Sequence, residues 1–107
     1  MALPKRLQGP AQLAAAAATV YTVPAGRISV IRNIHIVNGT AGDLTFTASI
    51  GADAAGTRIF AAQMVNAEDS FDSFAPFVLV AGEVVQAYAS AAASLTMTID
   101  GEEELVA

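Results

Sequence analysis

Apolar and polar residues alternate along most of the chain beyond residue 17, with the period of two that is typical of half-buried β-strands. The strongest alternation occupies residues 27–38. Its predicted buried face consists of Ile28, Val30, Ile34 and Ile36, and its predicted polar face consists of Arg27, Ser29, Asn33 and His35. Arg32 interrupts the apolar face, which predicts a β-bulge or an early exit from the core at that point.

Further segments carry strand patterns, and short Gly-containing or polar stretches separate them. The predicted strands cover residues 20–23, 44–50, 58–65, 75–80, 84–91 and 95–100, and residues 66–73 are predicted to form an acidic connection. Residues 58–65 are apolar on both faces, which predicts a central or interfacial strand. No helical pattern long enough for a parallel crossover lies between the segments, so the strands should pair antiparallel. The predicted fold class is all-β, an antiparallel β-sandwich that is jelly-roll-like, with an immunoglobulin-like sandwich or a small barrel as alternatives.

The first 17 residues differ in character from the rest of the chain. Pro4, Gly9 and Pro10 interrupt regular structure, and an alanine run follows at 14–18. An isolated helix that short is marginal in water even for alanine, so we expect an extended or partner-ordered segment. The chain is therefore predicted to consist of an extended N-terminal arm, residues 1–17, and a β-sandwich domain, residues 18–107.

Charge is distributed unevenly along this acidic chain, whose net charge is −5. Residues 1–42 contain Lys5, Arg6, Arg27 and Arg32 and no acidic residue, whereas residues 43–107 contain Arg58 alone against ten acidic residues. The asymmetry is either surface scatter or the mark of a basic N-terminal segment that seeks an acidic surface on a neighbouring subunit. Nucleic acid is not an expected partner of an acidic chain, and no segment is long and apolar enough to predict a membrane-spanning helix.

Side chains that support catalysis or cofactor binding are scarce. The chain has no cysteine and one histidine, His35, which the alternation places mid-strand on the polar face. A nucleophilic triad needs a hydroxyl or thiol activated by such a base, and the sequence marks none, so His35 is interpreted as a surface or interface residue. The acidic clusters at 68–72 and 100–104 fall in predicted loops or tails and are interpreted as solvated surface, with a weak calcium site as the alternative. We therefore predict no enzymatic activity, no cofactor and no metal site.

The apolar content exceeds what a small core can hide. Hydrophobic residues make up 54% of the 107 residues and charged residues only 14%. A domain of this size buries about two thirds of the surface that its unfolded chain exposes. Part of the apolar excess should therefore be covered by other subunits, which predicts an obligate oligomer or an assembly component.

Four stretches of the sequence together resemble a known class of proteins. They are LPKRLQG at 3–9, AATVYTVPAG at 17–26, IHIVN at 34–38 and LVAGE at 79–83. With a Thr-rich strand and an Ala/Ser-rich strand at matching positions, this pattern resembles the small β-sandwich structural proteins of tailed bacteriophage virions. The resemblance covers nearly the whole chain and includes no catalytic motif.

The resemblance implies a virion structural protein, most simply a capsid decoration (cement) subunit on the phage head surface. Such a subunit would form a homotrimer and bind the major capsid protein through its N-terminal arm. The arm residues expected to make that contact are Leu3, Lys5, Arg6, Leu7 and Leu13. A tail or fibre component is one alternative. A carbohydrate-binding adhesin module is another, although Tyr21, Tyr88 and a few phenylalanines are a small set of aromatic platforms for sugar recognition.

Overall fold

The computed structural model describes residues 3–106, which form nine β-strands joined by turns and loops. The strands are β1 (Lys5–Gln12), β2 (Ala18–Thr22), β3 (Arg27–Asn38), β4 (Leu44–Ile50), β5 (Arg58–Val65), β6 (Asp69–Ser73), β7 (Phe77–Val80), β8 (Val84–Ala89) and β9 (Leu95–Leu105). Strands β3, β4 and β5 coincide with their predicted ranges. Within residues 3–106, no helix is long and apolar enough to cross a membrane.

The strands form two antiparallel sheets that enclose the core. In the first sheet the order is β1–β9–β3, and β6 and β7 both pair with β3 along its other side. In the second sheet the order is β2–β8–β4–β5. Because β6 and β7 pair with successive stretches of β3, they act as one strand interrupted at residues 74–76. Apart from this interruption and the β4–β5 hairpin, every connection crosses between the sheets as in a jelly roll, so the predicted all-β sandwich is confirmed.

The core contains mostly aliphatic side chains and one aromatic cluster. The largest fully buried side chains are Phe46, Leu13, Ile31, Ile34, Ile36, Leu79, Leu95, Met97, Ile99, Val23, Val65 and Val85. The ring centroids of Phe46, Phe60 and Phe71 lie 5.5–5.6 Å from one another, a spacing typical of favourable aromatic pairs. Phe46 and Phe60 belong to the second sheet and Phe71 to the first, so the cluster joins the two sheets.

A β-bulge in β3 decides which of its side chains face the core. The register against β9 shifts by one residue between Ile31 and Asn33, so the bulge predicted at Arg32 is confirmed. Such a shift exchanges the inner and outer faces of the strand on one side of the bulge. The buried positions of β3 are Ser29, Ile31, Ile34, Ile36 and Asn38. The prediction that Ile28 and Val30 share the buried face is therefore wrong, because both lie on the outer face of the first sheet.

Two segments expected to be irregular are strands. β6 occupies most of the predicted acidic connection at 66–73, and β9 continues through the predicted tail to Leu105. The reason is that β3 is twelve residues long and the backbone groups on both of its sides need hydrogen-bond partners, which β6, β7 and β9 supply. The apolar segment at 58–65 forms β5, which is an edge strand of the subunit and not a central one.

Residues 5–12 of the segment predicted to be an extended N-terminal arm, residues 1–17, pair within the first sheet of their own subunit. β1 is extended, as predicted, but it pairs with β9 from the Lys5–Gly101 pair to the Gln12–Thr96 pair. Leu13 then enters the core with 2% of its surface exposed, and its N–H donates to the Leu95 carbonyl at 2.9 Å. β1 pairs with β9 because the backbone N–H and C=O groups on the outer side of β9 need hydrogen-bond partners. Leu13 is buried because its side chain fills space between the two sheets.

Candidate functional site

Exposed and half-buried aliphatic side chains gather at one end of the outer face of the first sheet. We call this set, Ile28, Val30, Val78, Val80 and Val106, the valine patch. In the sheet register, Ile28 lies opposite Val80, and Val30 lies opposite Val78. Val78 is 66% exposed and Val80 is 53% exposed. The patch exists because the bulge turns Ile28 and Val30 outward, next to a strand whose two faces are both apolar.

A shallow groove opens beside the patch, where β3 begins and β7 ends. Its volume is about 260 Å³, and it is lined by Gly26, Arg27, Ile28, Val80, Ala81 and Val106. The Val106 N–H donates to the Gly26 carbonyl at 2.8 Å, which fixes the chain after β9 along one wall. The side chains that line the groove are aliphatic except for Arg27, whose charge acts on Glu103. The groove therefore suits an apolar group.

The free edge of β7 is capped at its end. The Val80 N–H donates to Glu83 Oε1 at 2.8 Å, and the Glu83 N–H donates to the Val80 carbonyl at 3.0 Å. A carboxylate bound to an edge N–H occupies a site that an added strand would need. A partner at this end would therefore contact the outward side chains of the patch, not extend the sheet at Val80.

Acidic groups border the groove. Glu104 lies directly opposite Ile28 in the pairing of β3 with β9, and its side chain is exposed. Glu83 lies at the other side, bound to the Val80 backbone. Farther along the patch, Glu102 accepts from Arg32 Nη2 at 3.2 Å. The groove is thus an apolar depression with Arg27 in its lining and carboxylates nearby.

The N-terminal residues singled out from the sequence occupy three different environments. Leu3 is 77% exposed. Lys5 and Arg6 are exposed on β1; Lys5 Nζ contacts Glu103 Oε1 at 2.9 Å, and Arg6 makes no ion pair within residues 3–106. Leu7 packs against the core and Leu13 lies inside it. Only Leu3, Lys5 and Arg6 are therefore accessible to a partner of the folded subunit.

A polar network links the two sheets near this end. The Tyr21 hydroxyl donates to Glu103 Oε2 and accepts from Ser29 Oγ, with both distances 2.5 Å. Burial, reinforced by the hydrogen bond to Glu103, raises the pKa of Tyr21 to about 12. The hydrogen bonds from Tyr21 and then Lys5 lower the pKa of Glu103. Tyr21 is on β2, its partners are on β3 and β9, and Glu103 also binds Lys5 on β1, so the network holds the sheets and the N-terminal strand together.

The other end of the same face is polar. His35 Nδ1 lies 2.6 Å from Asp72 Oδ1, across the pairing of β3 with β6. An open depression of about 540 Å³ adjoins this pair, and its acidic residues are Glu68 and Asp69. Within residues 3–106 no hydroxyl hydrogen-bonds to His35, and no three His, Asp or Glu side chains are arranged to hold a metal ion. The pair is therefore a cross-strand contact on the surface.

Sequence analysis anticipated the exposed N-terminal residues but missed the valine patch. The sequence did contain an indication of the patch, because Phe77–Val80 is apolar at four consecutive positions. Successive side chains of a strand point to opposite faces, so some of these apolar side chains must point away from the core. The sequence predicted a bulge or an early exit from the core at Arg32 but still placed Ile28 and Val30 on the buried face, and the pairing with β9 shows that they lie on the outer face.

Comparisons with known proteins establish the fold. No protein-family model matches the chain, and no curated protein matches it. A subunit from Bacillus endospore appendages, described as a novel family of disulfide-linked pili, is similar with a TM-score of 0.57 and 18% identity, over 99% of this chain and 89% of that one. A chain of the infectious bursal disease virus Gt strain has a TM-score of 0.37 and 12% identity, over 96% of this chain and 28% of that one. The appendage subunit shares the sandwich fold; the viral similarity lies below the level that indicates a common fold.

Proposed function

We propose that this protein is a non-enzymatic structural subunit of a multi-subunit assembly, a virion or a surface appendage, and that its copies associate through the valine patch. The observation that carries this proposal is the exposure of Val78 and Val80 beside Ile28 and Val30 on a sheet face. Burial of apolar surface contributes about 25 cal/mol per Å². A contiguous aliphatic surface of this kind is typical of a protein interface.

Disulfides from this chain do not link the proposed copies, because it contains no cysteine. In this respect it differs from the appendage subunit described as disulfide-linked. A stable interface buries about 800 Å² on each partner. The patch must therefore be the centre of a larger contact.

Light scattering coupled to gel filtration tests the proposal, with two matched valine variants. Val78→Asp places a charge in the patch, whereas Val37→Asp places one on the same outer face at the polar end, where Val37 is 39% exposed. We expect the wild type and Val37→Asp to associate at micromolar concentration and Val78→Asp to be monomeric. A wild-type protein that stays monomeric, or equal association by both variants, would contradict the proposal.

Within this class, we propose decoration of a phage capsid as the narrower function. The exposure of Leu3, together with Lys5 and Arg6 on the adjoining strand, supports it, since these residues are free to contact a larger shell. A test must leave β1 and Leu13 in place, because they belong to the fold. We expect a variant lacking residues 1–4 to lose co-sedimentation with expanded empty phage capsids while its thermal unfolding is unchanged; undiminished binding would refute the role of Leu3.

A further inference from the structure

The last residue of β3 combines a chemically labile dipeptide with a fully buried side chain. Asn38 is 0% exposed, and Gly39 follows it in the turn between β3 and β4. We propose that Asn38 is a site of non-enzymatic deamidation that only unfolding opens, and that the modified chain cannot return to the fold. The inference concerns the single subunit, so it does not depend on self-association.

The reaction requires only water. The backbone nitrogen of Gly39 attacks Asn38 Cγ, so that a C–N bond forms and the bond from Cγ to Nδ2 breaks. Ammonia leaves with the proton of the Gly39 N–H, and a succinimide remains. Water then opens the succinimide at either carbonyl, which gives aspartate or isoaspartate at residue 38. Glycine favours the first step because it has no Cβ that crowds the attacking nitrogen.

Four hydrogen bonds hold the Asn38 side chain away from this reaction. Nδ2 donates to the Gly42 carbonyl at 2.9 Å and to the Val65 carbonyl at 3.0 Å. Oδ1 accepts from the Thr40 N–H at 3.0 Å and from Thr40 Oγ1 at 2.7 Å. Both amide hydrogens and both lone pairs of the oxygen are therefore engaged. Because the side chain is also buried, Cγ reaches the Gly39 nitrogen only if these bonds break and the turn opens.

Neither product fits the folded chain. Aspartate has no hydrogen to donate when it is ionised, so an oxygen would replace Nδ2 against the Gly42 and Val65 carbonyls. A buried charge without a partner is strongly unfavourable. Isoaspartate adds one methylene to the backbone at residue 38, which pairs with Asp69 on β6 and with Leu95 on β9. Folded subunits therefore keep the amide, whereas a subunit that stays unfolded loses it and leaves the folded population.

The other two asparagines of the chain are internal references. Asn33 precedes Ile34, whose β-branched side chain crowds the attacking nitrogen. Asn66 precedes alanine and is exposed in the fold. In an unfolded chain all three are accessible, so the following residue decides the rate and Asn38 should react first. In the folded chain Asn66 is the accessible member, so the preferred site should change with folding.

Peptide mapping of the full-length wild-type protein tests the site and its protection. Two portions are incubated in the same mildly alkaline buffer, one native and one in guanidinium chloride, and are then digested with trypsin. Cleavage after Arg32 and Arg58 leaves Asn33 and Asn38 on one peptide, so tandem mass spectrometry compares them directly. We expect Asn38 to react first in guanidinium. In native buffer it should react at least about a hundredfold more slowly, because native proteins hold an unfolded fraction of roughly 10⁻³–10⁻⁶.

Two results of the mapping would overturn the proposal. Equal rates at Asn38 in the two portions would show that the fold gives no protection. A faster reaction at Asn33 or Asn66 in guanidinium would show that Asn38 is not the preferred site of the unfolded chain.

Dilution out of guanidinium tests whether the modified chain can refold. After partial deamidation, gel filtration separates refolded protein, which elutes like untreated protein, from material that has not refolded, and both fractions are mapped. We expect aspartate and isoaspartate at residue 38 to be enriched at least about tenfold in the fraction that has not refolded, because a buried unpaired charge is among the most destabilising changes. Equal proportions in the two fractions would overturn this part of the proposal.

Two glycine variants form a matched pair for the refolding experiment. At both Gly39 and Gly42 an added methyl group meets open space, and only Gly39 follows an asparagine. Gly39→Ala should deamidate several-fold more slowly in guanidinium and keep its ability to refold, whereas Gly42→Ala should behave like the wild type. An equal loss of refolding by both variants would show that a different lesion is responsible and would overturn the proposal.

Discussion

Loss of the Tyr21 hydroxyl should measurably weaken the link between the two sheets. Tyr21→Phe removes the donor to Glu103 and the partner of Ser29, whose side chain is fully buried. A hydrogen bond to a charged group contributes about 1.5–3 kcal/mol, and a buried polar group left without a partner costs about 1–3 kcal/mol. Glu103 keeps Lys5 as a partner. These overlapping effects give an expected loss of about 2–3 kcal/mol in the free energy of unfolding.

Urea unfolding at a fixed protein concentration measures this loss. The experiment is best done in the Val78→Asp background, because association would otherwise change the apparent stability. The matched control is Tyr88→Phe, since the Tyr88 hydroxyl makes no hydrogen bond within residues 3–106. We expect the control to change stability by less than about 0.5 kcal/mol. Equal effects of the two substitutions would refute the structural role of the network.

The pH dependence provides a second signature of the same network. The pKa of Tyr21 is raised from 10.0 to about 12, so the folded state favours the neutral phenol. This contribution to stability is complete below pH 10 and is lost as the pH rises toward 12. The pKa of Glu103 is lowered, so its contribution is present above the unfolded carboxyl pKa and is lost as the pH falls through the folded value. Tyr21→Phe should not show this loss of stability between pH 10 and 12. If the variant loses stability over the same pH range as the wild type, another group is responsible.

The remaining predictions concern packing in the sandwich. Phe46→Ala should destabilise the fold by about 3–5 kcal/mol in urea unfolding, because the ring packs against Phe60 and Phe71 between the sheets; a loss below 1 kcal/mol would contradict the cluster. Gly101→Ala should lower the midpoint of thermal unfolding or prevent folding, since its methyl group would collide with the Val30 carbonyl. Gly39→Ala, where a methyl group meets open space, is its control and should unfold like the wild type.

Accessibility of the N-terminal residues depends on where β1 lies. Composition and proline placement predicted an extended segment, and β1 is extended. Nothing local to residues 1–17 indicates that the edge of β9 is available as a partner, because that edge is created by residues about ninety positions later. For the same reason, Leu13 could be recognised as apolar but not as a core residue.

The sequence alone indicated most of the strands, the all-β class and the scarcity of reactive groups, because alternation and composition are local properties of a segment. It also showed the separation of basic and acidic residues along the chain. Only the tertiary structure decided which apolar residues remain outside. The bulge at Arg32 turns Ile28 and Val30 to the outer face, and strand pairing sets them beside Val78 and Val80. Register and pairing depend on contacts between distant parts of the chain, so no periodicity within one segment can specify them.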